Sequence, residues 1–502
     1  MRAIDLDRTQ RLPSARELAS RLDGFLEGTK THRRRTRRAE ELTQEGNMLA
    51  ESYFEVIGSR PDRVAEVGGL RAGVAPWESG AAKEAIWDAE DRQAVLDSLA
   101  ARTFQAAVAA YEHALDEVHE HQAARQGLAR LYWNELERAR LRRDDFNRVQ
   151  FEALALEYDD GTLAETLRRG GVVTIDCPDG DAEVVLKRVE SSGPRLVTTE
   201  ERTRAALPLG PVSIEPGSWI AAVTRRGAAT VHCPLLVHPG RELSVSVPLN
   251  EAGVDADELL VPGGPALVGG HESNPLAREL GQVEIEAFAI CKLPVSFGEY
   301  VAFLAELYDE LGTRAERHLP RTDDGDPYWH HNGRAGVEGF SPGRLLRWSD
   351  DLDTLWALPV FGVDVDSALA YAAWRSARSG RIYRLPTEWE WEKAARGTDG
   401  RPYPWGNRFD ATFCKMRESR PGLPAPEPRG AFPIDESPYG VRDMAGGIAE
   451  WISPRAGAAQ VVSRGGAWSD WPVDCHAAAR RTYSPGERSS RVGFRLVRGV
   501  PR

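Results

Sequence analysis

Redox or soft-metal chemistry needs cysteines or histidines that can meet, and this sequence offers few. Its five cysteines, Cys177, Cys233, Cys291, Cys414 and Cys475, are odd in number and widely scattered, and no CxxC occurs. That pattern argues against a disulfide framework or a structural zinc knot and points to a reducing cytoplasm. Cys233, between His232 and Pro234, reads as a small buried thiol on a strand. His113, His119 and His121 are close in sequence, but His113 and His119 fall on different helical faces, so a shared metal is not expected. His330 and His331 are adjacent and do not readily face one ion. The densest set of large and charged groups lies in 467–481, where Trp468, Asp470, Trp471, Asp474 and His476 surround Cys475. Aromatic rings flanked by fixed charges suit recognition of a partner or ligand better than electron transfer. Trp468, just after Arg464-Gly465-Gly466, has a competing reading as a core residue.

The elements that must position these residues fall into three textures: a helical region over 1–168, a small β-sandwich over 169–257 and a third domain over 258–502. The first is rich in Ala, Arg, Glu and Leu. A helical stripe runs through Leu18, Leu22, Phe25 and Leu26, with Ser14 and Glu17 as a capping box and Gly28 as the expected stop. The basic run 30–38 reads as a solvated helix face or, more sharply, as a docking patch. From Glu84 to Tyr158, Phe104, Val108, Tyr111 and Leu115 form one stripe, and Ala123, Leu128, Leu131 and Tyr132 another. This stretch resembles one or two tetratricopeptide-like hairpins, with a plain helical spacer equally open. Residues 169–257 break into short β-branched runs between Pro and Gly turns, an antiparallel sandwich resembling PEGA-type modules. The third texture holds most of the chain's 14 Trp and few helices, expected at Phe297–Leu311, Asp364–Arg378 and Thr387–Arg396. The long irregular stretches between them need buried aromatics or bound cations to fix them.

Charge narrows the functions. The formal net charge is -12, with 64 Lys+Arg against 76 Asp+Glu, which excludes a dedicated nucleic-acid binder. No uncharged apolar run approaches a membrane span, and the N-terminus lacks the apolar core of a secretory signal, so a cytoplasmic protein is expected.

Within the third domain an ordered series stands out: LLVPGGPALVGG (259–270), AICKLPVSFGEYVAFLAEL (289–307), LPVFGVDVDSALAYAAWRSARSGRIYRLPTEWEWEKAARG (358–397), YPWGNRF (403–409), SPYGVRDMAGGIAEW (437–451), SRGGAW (463–468) and VGFRLVR (492–498). The series closely resembles the formylglycine-generating enzyme family, also called the sulfatase-modifying factor domain, and implies a C-type-lectin-like fold. Oxidases of that family hold Cu(I) on two cysteines near the C-terminus and convert a substrate cysteine to formylglycine with O2. Counting from Arg464, Asp470 stands at the first of these positions and Cys475 at the second. One thiol and one carboxylate make a poor Cu(I) site. A relative that forms sulfur–carbon bonds with histidine-held iron implies a histidine set that the N-terminal helices here lack. The family's Gly-Asn-Val-Trp-Glu-Trp step reads Gly446-Gly447-Ile448-Ala449-Glu450-Trp451 in this chain. By that resemblance Glu450 would contribute to a structural calcium; otherwise it is a hydrogen-bonding structural residue. Trp389 stands where the family pattern usually has a small residue.

The segment RLPSARELASRLDGFLEG (11–28) resembles the last helix of bacterial serine/threonine kinases. No Gly-rich loop, His-Arg-Asp or Asp-Phe-Gly step accompanies it, so the expectation is the adaptor half of such a protein, encoded alone or trimmed from a longer product. The expected fold is multidomain α+β. The expected function is a non-catalytic regulatory or interaction protein of a bacterial signalling or stress/defence system, with no cofactor required and a protein partner such as a kinase, a protease or another signalling component. The expected contact surface is Trp468, Asp470, Trp471, Asp474 and His476, together with the helical region. Two alternatives stand beside it. One is a metal-dependent oxidase or oxygenase using Cys475. The other is a substrate or inhibitor of a partner enzyme such as a protease, with Val56–Glu84 as an exposed connector.

Overall fold

The computed structural model describes residues 14–72, 74, 79–142, 144–178, 180–226, 229–249, 254–270, 274, 277–278, 280–455, 457 and 459–500. The start of the kinase-like segment (11–13) and part of the connector (73, 75–78) lie outside the described residues. Contacts divide the chain into two compact units, one of 1–63 with 88–165 and one of 64–87 with 166–502. Among the described residues no helix is long and apolar enough to cross a membrane.

Helices α1 (Ala15–Gly58), α2 (Arg60–Ala72), α3 (Gly80–Glu117), α4 (Gln122–Arg142), α5 (Asp145–Glu157) and α6 (Thr162–Arg168) make up the N-terminal part. Ser14 caps α1 as expected, its hydroxyl accepting the Glu17 N–H at 3.2 Å. The helix does not stop at Gly28. An exposed glycine costs a helix only about 1 kcal/mol, and helix-forming neighbours on both sides carry propagation past it. The basic run lies on solvated helix surface, where Arg35 meets Glu117 at 3.3 Å and Arg38 meets Glu41 at 3.3 Å. The core gathers Leu42, Tyr53, Tyr111, Leu128, Leu131 and Tyr132. In α4 the inward alanine is Ala124 rather than Ala123. Gly46 and Gly127 flank the Tyr111 ring so closely that a Cβ on either would lie 2.7 or 2.4 Å from it. The histidines do not converge: His113 and His119 are exposed, and His121 turns to the Thr43 hydroxyl at 3.3 Å.

The second unit opens with β1 (Gly171–Asp176), β2 (Glu183–Ser192), β3 (Arg195–Ala206), β4 (Leu209–Ile214), β5 (Gly217–Thr224), β6 (Val231–Val237) and β7 (Glu242–Ser246). They form two sheets, β4-β1-β7 and β3-β2-β5-β6. Val173, Ile175 and Val245 from the first sheet share a core with Val184, Leu186, Trp219, Cys233 and Leu235 from the second. The expectation of purely antiparallel pairing is corrected in one place, since β1 and β7 run parallel. A parallel pair needs a crossover, and the other sheet supplies it.

Strands β8 (Glu258–Val261), β9 (Gly264–Val268), β10 (Gly281–Ile285) and β11 (Phe288–Cys291) lead into α7 (Phe297–Leu311). There follow β12 (Trp329–His331), β13 (Phe340–Pro342), α8 (Leu352–Ala357), α9 (Val365–Ser379), β14 (Tyr383–Arg384) and α10 (Glu388–Arg396). The chain closes with β15 (Ala449–Trp451), β16 (Val461–Arg464), β17 (Arg480–Tyr483), β18 (Val492–Gly493) and β19 (Val497–Gly499). Two four-stranded sheets, β14-β19-β11-β8 and β17-β16-β15-β18, frame the core. The three helices read from the sequence are present, and α10 starts on a capping box. There the Thr387 hydroxyl accepts the Glu390 N–H at 3.2 Å, while Glu390 accepts the Thr387 N–H at 2.8 Å. On α9, Val365 and Ala372 are buried, Leu369 is half-buried and Ala373 is exposed.

Residues 397–448 contain neither helix nor strand. Buried aromatics hold this part together, as expected, and the fixed cations are arginines. Arg495 forks onto Glu450 at 2.7 Å, Arg396 meets Glu392 at 2.7 Å, Arg401 meets Asp399 at 2.8 Å and Arg498 meets Glu258 at 2.7 Å. Closed sites of this kind retain charge only when it is paired and hydrogen-bonded. Trp389 is half-buried, with the Arg278 guanidinium 4.9 Å from its ring centre.

Candidate functional site

Strand β16 ends in Arg464, and Gly465 and Gly466 carry the chain over two large neighbours. A Cβ on Gly465 would meet the Trp391 ring at 3.0 Å, and one on Gly466 the Cys475 sulfur at 2.9 Å. The loop then folds on Asp470. Its Oδ2 accepts the Ala467 N–H at 2.9 Å and a bond from Arg481 at 2.6 Å, and its Oδ1 faces Arg491 at 3.3 Å. Asp470 is 2% exposed. This corrects the expectation of a recognition residue, because its carboxylate is consumed in holding the loop shut. Trp468 resolves the same way: its indole donates to the Ser490 carbonyl at 2.8 Å, and its ring packs edge-on against Trp348 at 5.8 Å.

Trp471 is half out in water, 50% exposed, with Arg417 4.6 Å above its ring. Asp474 accepts the Trp471 N–H at 3.3 Å and pairs with Arg481 at 2.9 Å. His476 is partly exposed; its Nδ1 accepts the Ala478 N–H at 3.0 Å, and its ring stands edge-on to Tyr403 at 5.8 Å. Of the five residues read from the sequence, Trp471, Asp474 and His476 therefore reach the surface.

Cys475 faces inward. It is buried with Cys414, Met416, Trp405 and Ala445. Its thiol also lies 3.7 Å from the Trp471 carbonyl. The neighbouring Cys475 thiol, to which Cys414 hydrogen-bonds, and burial push Cys414 well above the ordinary thiol range. Sequence reading missed this pairing, since the whole of 415–474 separates the two cysteines and only the irregular loop brings them together. Beneath lies Asp435, whose carboxylate accepts N–H bonds from Met444, Ala445 and Gly446 at 3.1–3.2 Å. Burial and the neighbouring Asp443 push its pKa up to about 8 against those donors, and burial pushes Asp443 up to about 6.

The metals implied by the resemblance can be tested against these side chains. Glu450 does not fit calcium: Arg495 holds both of its oxygens at 2.7 Å, and the Trp391 indole donates to one at 2.8 Å. With both oxygens taken in this way, Glu450 is a buried, hydrogen-bonded structural residue. Asp470 with Cys475 does not fit Cu(I), because the carboxylate is a hard ligand already claimed by two arginines. Among the described residues no group of three or more His, Cys, Asp or Glu side chains is arranged to hold a metal ion. What remains chemically notable is the closed pair of buried thiols, Cys414 and Cys475.

Residues 246–500 match the family model described as the sulfatase-modifying factor enzyme 1-like domain. A mouse protein named inactive C-alpha-formylglycine-generating enzyme 2 is 30% identical over 297 residues, covering 51% of this chain and 91% of that protein. A hercynine oxygenase of Mycolicibacterium smegmatis is 31% identical over 229 residues, 43% of this chain and 49% of the relative. The serine/threonine-protein kinase pkn1 of Chlamydia caviae is 26% identical over 269 residues, 48% of this chain and 38% of the kinase. The chain thus spans about half or less of the last two relatives.

Proposed function

This chain belongs to the sulfatase-modifying factor enzyme 1-like family, and from that premise we propose that it is a non-catalytic regulatory or interaction protein of a bacterial signalling or stress/defence system. The observation that carries the reading is Asp470, a buried carboxylate tied to Arg481 and Arg491 at the first of the family's two thiol positions. The mouse relative's name, which includes "inactive", supports it. On the C-terminal domain the contact surface would be Trp471, with Asp474 and His476 at its margin; the helical stretch Phe104–Trp133, tetratricopeptide-like, would be a second surface of its own. The half-exposed indole beneath a guanidinium suits a protein surface. The kinase relative's name supports a signalling partner; a role as substrate or inhibitor of a partner enzyme such as a protease stands beside this as an alternative.

A photo-crosslinker placed at Trp471 in the native cell tests the reading. A discrete protein adduct is expected there and none from the same crosslinker at buried Trp468; adducts at neither position would overturn the surface assignment.

One observation favours a second reading, a metal-dependent oxidase of the formylglycine-generating type: Cys414 lies beside Cys475. Soft thiolates suit Cu(I), and here the second thiol would come from 414 instead of 470. When bound, copper would supply the O2 chemistry; the chain's own part would be the two sulfurs and a dry surround. The hercynine oxygenase relative keeps an oxygenase open as well. Cu(I) titration against a competing chelator separates the readings. No stoichiometric site is expected in the interaction protein, whereas one lost in both Cys414→Ser and Cys475→Ser would favour the oxidase.

A further inference from the structure

The outer face of sheet β3-β2-β5-β6 does not end in solvent. Its β2–β3 turn hydrogen-bonds to the loop after residue 402, with the Leu196 N–H on the Trp405 carbonyl at 2.8 Å and the Arg408 N–H on the Pro194 carbonyl at 3.4 Å. A Cβ on Gly406 would lie 2.7 Å from the Leu196 nitrogen, so only glycine admits this approach. At the opposite edge of the same face, Pro234 on β6 packs against Gly397. Between these two struts a cleft of about 320 Å³ stays open, lined by the sheet on one side and by 401–405 and 433–438 on the other. Small-molecule sites favour such junctions, and this volume is at the lower end of their usual range of about 300–1,000 Å³.

The lining is amphipathic and its charge is lopsided. Lys187 and Arg195 enter it, and among the described residues neither is tied into an ion pair. Arg401 is neutralised by Asp399 at 2.8 Å, and the one lining carboxylate among the described residues, Glu436, leans toward Arg442 at 3.8 Å. The surplus is positive in a chain whose net charge is -12. Lys187 stands across from Ile220 in the sheet, and one row on Ala222 stands across from His232. Burial and Lys187 push the His232 imidazole below its ordinary range, leaving it neutral with an N–H to donate. The apolar walls, Val189, Leu196, Ile220 and Ile434, are aliphatic. The Trp405 ring is buried, stacked on Tyr403 at 5.2 Å and edge-on to Phe413 at 5.6 Å, so little of it is offered to a ligand.

We propose that this cleft binds a small amphipathic anion, an aliphatic carboxylate, with its head at Lys187 and its chain along Ile220, Val189 and Ile434. The site is separate from the 467–481 loop and does not depend on the partner reading. Octanoate is the probe, titrated calorimetrically into the full chain, with octanol and inorganic phosphate as controls. One saturable octanoate site is expected, with both controls at least tenfold weaker. Lys187→Gln should weaken octanoate at least tenfold, and Ile220→Trp, which fills the cleft, should abolish binding. Because Ile220 is buried, its variant needs a folding check by circular dichroism; Lys187→Gln, on the sheet's outer face, decides the matter if Ile220→Trp does not fold. Absence of saturable octanoate binding would overturn the proposal, as would octanol binding equally well, phosphate alone matching octanoate, or Lys187→Gln retaining full affinity.

Discussion

Replacing Asp470 by asparagine would leave Arg481 and Arg491 converging on a neutral amide. We expect a loss of about 2–3 kcal/mol, less than the roughly 3–5 of a fully closed ion pair because both arginines keep one side in water. Its neighbour behaves differently: Trp471→Ala should stay within about 0.5 kcal/mol of the parent, the usual range for a surface change. Thermal melts of the two variants side by side test this, and a large drop for Trp471→Ala would place that ring in the core. Asp435 adds a pH dependence. Its folded pKa, raised to about 8, means the native state holds a proton that the unfolded chain releases near the ordinary aspartate value. That contribution is present in full below the unfolded pKa and is lost as pH rises through about 8. Asp443, at about 6, works in the same direction, whereas Asp364, Glu388 and Glu390, held below their usual range, lose their stabilisation in acid. Asp435→Asn should flatten the decline in melting temperature between pH 5 and 8.5; an unchanged slope would show that the proton is not held there.

At the scale of elements, glycines separate propensity from packing. Gly28→Ala, with nothing within 4 Å of the added methyl, should stabilise α1 by up to about 1 kcal/mol. Gly127→Ala has the same intrinsic gain, but its methyl would strike the Tyr111 ring, so a net loss of about 1–3 kcal/mol is expected on chemical denaturation. Elements with local signals were legible in the sequence: Ser14 with Glu17 marked the start of α1, and the helices expected over Phe297–Leu311 and Thr387–Arg396 are α7 and α10. Gly28 misled because a lone glycine is a weak stop when no proline or left-handed turn follows it. The site was less legible, because Asp470 looked like surface until Arg481 and Arg491, later in the chain, were folded over it. The Cys414–Cys475 pair had no local signal at all. Both depend on the path of an irregular loop, which periodicity does not encode.

At the scale of the molecule, the composition change near 257 suggests a linker, yet the sandwich and the C-terminal part form one compact unit. The Leu196–Trp405 bond and the Pro234–Gly397 packing cross between them. Limited proteolysis should therefore yield a stable fragment starting near 166, and a nick near 257 should leave two pieces that co-elute on gel filtration. Separation of those pieces would show that the junction does not hold. A different consequence follows from the cysteines, all five of which are free and buried. The native protein should be silent to a thiol-reactive dye until it is denatured. A single cysteine introduced at Leu423, 94% exposed, would then be the only handle on the molecule, and one fluorophore could be attached there without mutating any native residue away.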